Sequence, residues 1–112
     1  MTTVVSRIEH IEVEPGVRLA VDVPASFGQP VVVLSNSIGA SLGMWDEISD
    51  RLSGQLSLVR YDTRGHGKSD VPTGPYNIER LGLDVIAILD ALKIQQAVFC
   101  GLSLGGLTGM WL

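Results

Sequence analysis

Hydrophobic and polar residues alternate along the first part of the chain. In the segment 17–23 every second residue is aliphatic, and this set is Val17, Leu19, Val21 and Val23. The residues between them are Arg18, Ala20 and Asp22. Because successive side chains of a strand point to opposite faces, this period predicts a strand with one wetter face. Residues 8–13 predict a weaker strand before it and Pro15-Gly16 a turn, so we expect an antiparallel hairpin at the edge of a sheet.

The pattern then changes to short, mainly apolar runs. Such runs are typical of strands buried on both faces, and they lie at residues 31–34, 56–59 and 97–100. A helix is predicted after each of them, over residues 45–52, 77–92 and 104–112. The predicted order is therefore β-β-β-α-β-α-β-α. Alternation of strand and helix after a hairpin predicts an α/β fold with a mostly parallel, doubly wound sheet.

The helix predicted over residues 77–92 has the clearest amphipathic pattern. Asn77 is suited to cap its start. Its apolar stripe consists of Ile78, Leu81, Val85, Ile88, Leu89 and Leu92. Asp84 and Asp90 are predicted to lie on its solvated face. Gly82 is unfavourable inside a helix, so its presence predicts close packing of this helix on the sheet.

Composition narrows the class of protein. A length of 112 residues predicts one domain, and a 46% share of hydrophobic residues with a mean hydropathy of +0.31 fits a buried sheet. No apolar run approaches the roughly 18 residues of a spanning helix, and the N-terminus lacks the pattern of a secretory signal. We therefore expect a cytoplasmic protein without a membrane partner. The net charge of −4 and the scattered basic residues argue against nucleic-acid binding.

The single cysteine, Cys100, has no partner for an internal disulfide and no ligand spacing for zinc. We predict that it fills a buried strand position as a small hydrophobic residue.

The pentapeptide Gly101-Leu102-Ser103-Leu104-Gly105 lies between a predicted buried strand and a helix start. A serine hydroxyl is a poor nucleophile unless it is positioned and paired with a base. A tight strand-to-helix turn lifts the hydroxyl clear of the sheet, at the cost of a strained serine backbone. Gly101 and Gly105 are then required because side chains there would collide with neighbouring turns. We predict that Ser103 is a catalytic nucleophile; the alternative is an ordinary glycine-rich turn with a capping serine.

A nucleophile of this kind needs an oxyanion hole made of two backbone donors. One donor should be the N–H of the residue after the nucleophile, here Leu104. The other should come from the loop after the third strand, residues 35–39.

Asp62 and His66 invite a different hypothesis, a triad with Ser103. The glycines on both sides of His66 indicate a tight loop instead. We predict that Asp62 and Arg64 tie this loop together by a charge-assisted hydrogen bond.

Three stretches together resemble the α/β-hydrolase superfamily and, within it, the 3-oxoadipate enol-lactonases of aromatic-compound catabolism. They are LSNSIG at 34–39 with LGMWD at 42–46, RYDTRGHG at 60–67 with GPY at 74–76, and FCGLSLGG at 99–106. Asn36-Ser37 stands where the superfamily usually has His-Gly, and the enol-lactonases are similar in this respect. By the same alignment, Ile38 offers the second oxyanion N–H.

The resemblance implies a reaction: Ser103 attacks the carbonyl of a small lactone or ester, 3-oxoadipate enol-lactone, and water hydrolyses the acyl-enzyme to 3-oxoadipate. No metal or organic cofactor is needed. The superfamily's order of Ser, then Asp or Glu, then His puts both other triad members after the nucleophile. We therefore expect residues 1–112 to be the N-terminal part of a single α/β-hydrolase domain. Alone it should be inactive and marginally stable, and a C-terminal half would complement it.

Two other interpretations stay open. Another carboxylesterase, or a carbon–carbon bond hydrolase of the same fold, would have the same serine turn. A truncated domain could also serve as a non-catalytic binding or assembly piece, and then Ser103 would have no measurable role.

Overall fold

The computed structural model describes residues 6–112, and the predicted order of strands and helices is confirmed. The strands are β1 (Ser6–Glu14), β2 (Val17–Pro24), β3 (Val31–Ser35), β4 (Ser57–Tyr61) and β5 (Val98–Gly101). The helices are α1 (Asp46–Leu52), α2 (Ile78–Ala91) and α3 (Leu104–Trp111), and a short 3₁₀ helix (Leu42–Trp45) leads into α1. The start of the segment examined for a secretory signal, residues 1–5, lies outside the described residues. Among residues 6–112, no helix combines the length and the apolar character needed to cross a membrane.

The five strands form one sheet in the order β1-β2-β4-β3-β5. β1 and β2 pair antiparallel as the predicted hairpin, and β2 pairs antiparallel with β4. β3 pairs in parallel with both β4 and β5. It follows that β2 alone runs opposite to the other four strands, so the sheet is mostly parallel and the hairpin forms one edge.

Helices cover the sheet on both faces. Val33 belongs to a core shared with α2, whereas its neighbour Leu34 packs with Trp45 and Leu58 beneath the 3₁₀ helix. Because adjacent residues of a strand point to opposite faces, these two cores lie on opposite sides of the sheet. The larger core is formed by Ile11, Val13, Val17, Leu19, Val21, Val23, Val33, Val59, Tyr61, Val85 and Ile88.

The prediction that β2 has one wetter face is wrong, because only Arg18 is exposed in that strand. Ala20 and Asp22 are buried with the aliphatic residues. Asp22 tolerates burial since its carboxylate lies 2.7 Å from a guanidinium nitrogen of Arg60 on the adjacent strand β4. Burial of an ion pair requires such close pairing.

Two expectations for α2 are also corrected. Asp84 is 1% exposed rather than solvated, because Arg64 donates two hydrogen bonds to its carboxylate at 2.7 and 2.8 Å. Asp90 is exposed as predicted. Gly82 packs against α3 and not against the sheet, since a Cβ there would overlap the ring of Trp111.

The prediction that Cys100 is buried is wrong: the residue is exposed on β5. Val98 on the same strand is 61% exposed. Phe99 between them contacts Gly109 of α3. In the described part of the chain, therefore, α3 covers one face of β5 and the face carrying Val98 and Cys100 lies open.

Candidate active site

The turn between β5 and α3 presents Ser103 at the end of the sheet. β5 ends at Gly101, α3 begins at Leu104, and Ser103 between them is exposed. Its backbone has φ 57° and ψ −113°, a conformation that residues other than glycine rarely adopt. The strained backbone expected for this serine is thus present. Such strain is typical of functional sites and costs on the order of 1–3 kcal/mol.

The glycines around Ser103 are required by close backbone approach. A Cβ on Gly101 would overlap the carbonyl group of Gly105, and a Cβ on Gly105 would overlap the carbonyl of Ser35 at the end of β3. Gly106 differs, because a Cβ there would lie 3.5 Å from the carbonyl oxygen of Gly101, an ordinary contact. The turn is therefore pressed against both its own helix and β3.

Leu104, predicted as one oxyanion donor, is the first residue of α3. The first N–H groups of a helix have no partner within the helix, and the helix dipole favours negative charge there. The next amide is already engaged, since the N–H of Gly105 points to the carbonyls of Asn36 and Leu102 at 3.1 and 3.0 Å. The position of Leu104 therefore suits donation to an external oxyanion.

Ile38, predicted as the other donor, occupies a tight turn after β3. The N–H of Ala40 donates to the carbonyl of Ser37 at 3.2 Å, and Gly39 has φ +79°. These values describe a type II turn with Ile38 at its second position. The N–H of that position takes no part in the turn's own hydrogen bond, and the Ile38 side chain is 72% exposed.

Ile38 and Leu104 lie on the wall of one cavity of about 240 Å³. The rest of its wall consists of Thr63, Arg64, His66, Tyr76, Asn77, Ile78 and Leu81. Ser103 directly precedes Leu104 but is not part of this wall. A larger cavity of about 340 Å³ adjoins it beside Glu14 and Arg80, and its arginines are engaged in ion pairs. The smaller cavity is thus the one that joins the two predicted donors.

The expected bond between Asp62 and Arg64 is not present. Arg64 is buried and binds Asp84 and Glu14. Burial alone would lower the pKa of Arg64, but its hydrogen bonds to these two carboxylates outweigh burial and raise it. The hydrogen bond between Arg64 and Glu14 also lowers the pKa of Glu14. Arg64 therefore links the loop to β1 and α2. Both partners lie far from Arg64 in the sequence, so its neighbouring residues do not indicate them.

Asp62 ties the loop together through backbone amides instead. Its carboxylate accepts hydrogen bonds from the N–H of Leu42 at 2.7 Å and from the N–H of Lys68 at 2.8 Å. His66 contacts the carbonyl of Arg64 through Nδ1 at 3.1 Å. Within residues 6–112, no hydrogen bond joins His66 to Ser103 or to Asp62. The arrangement gives a Ser103-His66-Asp62 triad no support.

A buried polar layer beneath the site was not predicted from the sequence. Asn36 is fully buried and binds both the backbone of Tyr61 and the indole of Trp45. The hydroxyl groups of Tyr61 and Ser35 lie 2.7 Å apart. Burial raises the pKa of Tyr61 to about 12, so its phenol stays neutral and able to donate. The available signal was a run of polar residues directly after an apolar strand.

Comparison with known proteins identifies relatives of this chain. The chain is similar to 3-oxoadipate enol-lactonase 2 of Acinetobacter baylyi, with 53% identity over 91 residues, which are 79% of this chain and 34% of that protein. The chain therefore spans about a third of the length of this curated relative.

Two solved structures share the architecture. A hydrolase from Pseudomonas aeruginosa PA01 superposes with a TM-score of 0.89 at 45% identity, covering 95% of this chain and 40% of that one. The enol-lactonase from Burkholderia xenovorans LB400 gives a TM-score of 0.79 at 48% identity, covering 88% of this chain and 38% of that one. A profile of the α/β-hydrolase fold matches residues 30–112. Since this match covers most of the chain, the protein belongs to the α/β-hydrolase fold family.

Proposed function

We propose that this chain supplies the nucleophile and the oxyanion hole of a serine hydrolase that opens 3-oxoadipate enol-lactone to 3-oxoadipate in aromatic catabolism. The observation that carries the proposal is that Ser103 is exposed and has φ 57°, directly before Leu104, the first residue of helix α3. The choice of substrate is supported by the similarity to enol-lactonases from two organisms at 53% and 48% identity.

In the proposed reaction the Ser103 hydroxyl oxygen attacks the lactone carbonyl while a base removes its proton. The carbonyl oxygen becomes an oxyanion, which accepts hydrogen bonds from the N–H groups of Ile38 and Leu104. Collapse of this intermediate breaks the ring carbon–oxygen bond and expels an enolate, which takes up a proton and becomes a ketone. Water then hydrolyses the acyl-enzyme, so that one lactone and one water give 3-oxoadipate and the free serine.

The cavity of about 240 Å³ between Ile38 and Leu104 is the proposed place for the substrate. Much of its wall is apolar, with Ile78, Leu81 and the ring of Tyr76. Substrate sites are typically concave, mainly apolar and provided with a few polar groups, and this cavity fits that description for a small molecule.

The base and the acid of the triad are proposed to come from a part of the protein that follows these residues in the chain. In this fold family's order both lie after the nucleophile. Residues 1–112 alone should then have near-background activity, because an unpaired serine is not activated.

The proposal is tested on the full-length gene product with a fluorophosphonate probe, which reacts with activated serines. We expect labelling of Ser103, and we expect Ser103→Ala to lose both labelling and lactone hydrolysis. The kcat/KM for 3-oxoadipate enol-lactone should exceed that for simple carboxylic esters. It should also exceed that for aromatic ring-cleavage products, the substrates of carbon–carbon bond hydrolases. An unlabelled wild-type protein would contradict a serine mechanism. Labelling with a preference for another substrate would keep the mechanism and replace the substrate.

A further inference from the structure

We infer that Asn36 is a positioning residue that fixes the distance between the two oxyanion donors by clamping the loop after β3 to the serine turn. This inference rests on the proposed function, because it concerns how that site is held in its reactive geometry.

Asn36 joins its own loop after β3 to three other segments of the chain. Its side-chain Nδ2 donates to the carbonyl of Tyr61, at the end of β4, at 2.8 Å. Its Oδ1 accepts from the indole Nε1 of Trp45 at 2.7 Å. Its own backbone carbonyl accepts from the N–H of Gly105, in the first turn of α3, at 3.1 Å.

The position of Asn36 in the chain makes these contacts relevant to the chemistry. Ile38 lies two residues after Asn36, and Leu104 directly precedes the Gly105 that Asn36 holds. One residue therefore connects the two segments that carry the two donor amides. The donors sit on different elements, β3's loop and the start of α3, and the hydrogen bond from Gly105 to Asn36 bridges them.

Burial makes the clamp stiff. Asn36 is 0% exposed, and Trp45, its partner on the second face of the sheet, is 7% exposed. A buried amide that loses a partner cannot replace it with bulk water, so the native arrangement is strongly preferred. Ser35, the preceding residue, is itself held by the Tyr61 hydroxyl at 2.7 Å, which fixes the end of β3.

A positioning role predicts a specific kinetic defect. Loss of the two side-chain bonds releases the backbone of residue 36, and with it both the Ile38 loop and the carbonyl that holds Gly105. The Ile38 loop can then shift relative to Leu104, which weakens stabilisation of the oxyanion in the transition state. Misplacement of a reacting geometry by about 1 Å can cost about 10²-fold in rate. Binding of the ground-state lactone relies mainly on the cavity wall, so the loss should appear in kcat rather than in KM.

The test uses the full-length gene product and three variants of Asn36. Asn36→Ala removes both side-chain bonds. Asn36→Asp keeps the acceptor for Trp45 but removes the donor to Tyr61, whereas Asn36→His can supply one donor and one acceptor. In Asn36→Ala we expect kcat and the fluorophosphonate labelling rate of Ser103 to fall by about 10²-fold, with KM changed little. Asn36→Asp should show a comparable fall. Asn36→His should recover most of the rate.

The matched control is Ser57→Ala. Ser57 is also buried and hydrogen-bonded, to Ser26 and Gln29, but it lies at the other end of β4. If Asn36→Ala does not fold, Trp45→Phe removes the bond to Oδ1 together with part of a buried ring, and its kcat should fall while its KM holds. A kcat loss no larger than that of Ser57→Ala, or a change carried by KM, would overturn the inference while leaving the proposed function intact. An unlabelled wild-type protein would overturn both.

Discussion

At the scale of single residues, the turn at Ile38 allows a test of one hydrogen bond. Ile38 is at the second position of a type II turn, where proline is favoured because its fixed φ matches. Ile38→Pro should therefore keep the turn while it removes both the isoleucine side chain and the N–H, whereas Ile38→Ala removes the side chain and keeps the N–H. We expect kcat of the full-length proline variant to be about 10²–10³-fold below that of the alanine variant.

Steady-state lactone hydrolysis and thermal unfolding of both Ile38 variants provide the measurement. Equal kcat values in two variants of equal stability would show that the amide of Ile38 does not contact the oxyanion.

Residue identities were predicted well where the local backbone alone imposes them. Gly101 and the strained Ser103 follow from the geometry of a sharp turn, which five consecutive residues define, whereas Gly105 is required by the carbonyl of Ser35 on the distant strand β3. The pairing of Arg64 was predicted wrongly, since its partner Asp84 lies 20 residues away on α2. Sequence proximity favoured Asp62, but the buried guanidinium points to the helix.

At the scale of elements, the packing of α3 against β3 depends on one glycine. Gly105 touches the backbone of Ser35, while the adjacent Gly106 has room for a methyl group. Gly105→Ala should destabilise the full-length protein by about 1–3 kcal/mol, as overpacking does. Gly106→Ala should be neutral or stabilising by up to about 1 kcal/mol, because alanine favours helix formation.

Urea unfolding of these two variants separates the effects, with Ser103 labelling as a second readout. We expect Gly105→Ala also to slow labelling, since the turn must move away from β3 to admit the methyl group. Equal stability of both variants would contradict the close approach of α3 to Ser35.

The existence and the order of the elements were predictable, but the faces they expose were less so. Period and apolar runs are local properties, and they gave the hairpin, the parallel strands and the helix capped by Asn77, whose Oδ1 accepts from the N–H of Arg80 at 2.8 Å. Whether β2 has a wet face depends on what lies beside it. Arg60 of the adjacent strand β4 pairs with Asp22 on that face, and the period of β2 carries no information about this partner.

At the scale of the whole molecule, β5 and α3 carry a surface rich in exposed apolar side chains. The exposed apolar side chains of β5, α3 and the residues next to them are Val98, Leu102, Leu107, Met110, Trp111 and Leu112. β5 pairs with β3 along one edge, and among residues 6–112 no strand pairs with its other edge. Exposed apolar side chains beside an unpaired strand edge promote association.

We expect residues 1–112 expressed alone to self-associate, and Val98→Lys to raise the fraction of monomer in analytical ultracentrifugation. In the full-length product the same substitution should lower stability, because we propose that the remaining part of the domain covers this face. Val71→Lys is the matched control, since Val71 is 76% exposed in a loop and the added charge is identical. A monomeric, cooperatively unfolding 112-residue chain would contradict this expectation.

By itself, the sequence determined the α/β order and the place of the serine turn, because these depend on the backbone preferences of adjacent residues. Tertiary structure alone decided that Asn36 holds Tyr61, 25 residues away, that Asp22 pairs with Arg60, 38 residues away, and that Cys100 is exposed. Burial and pairing are properties of whichever segments fold next to one another. A local pattern cannot contain them, and the energy of a buried polar group depends on such partners.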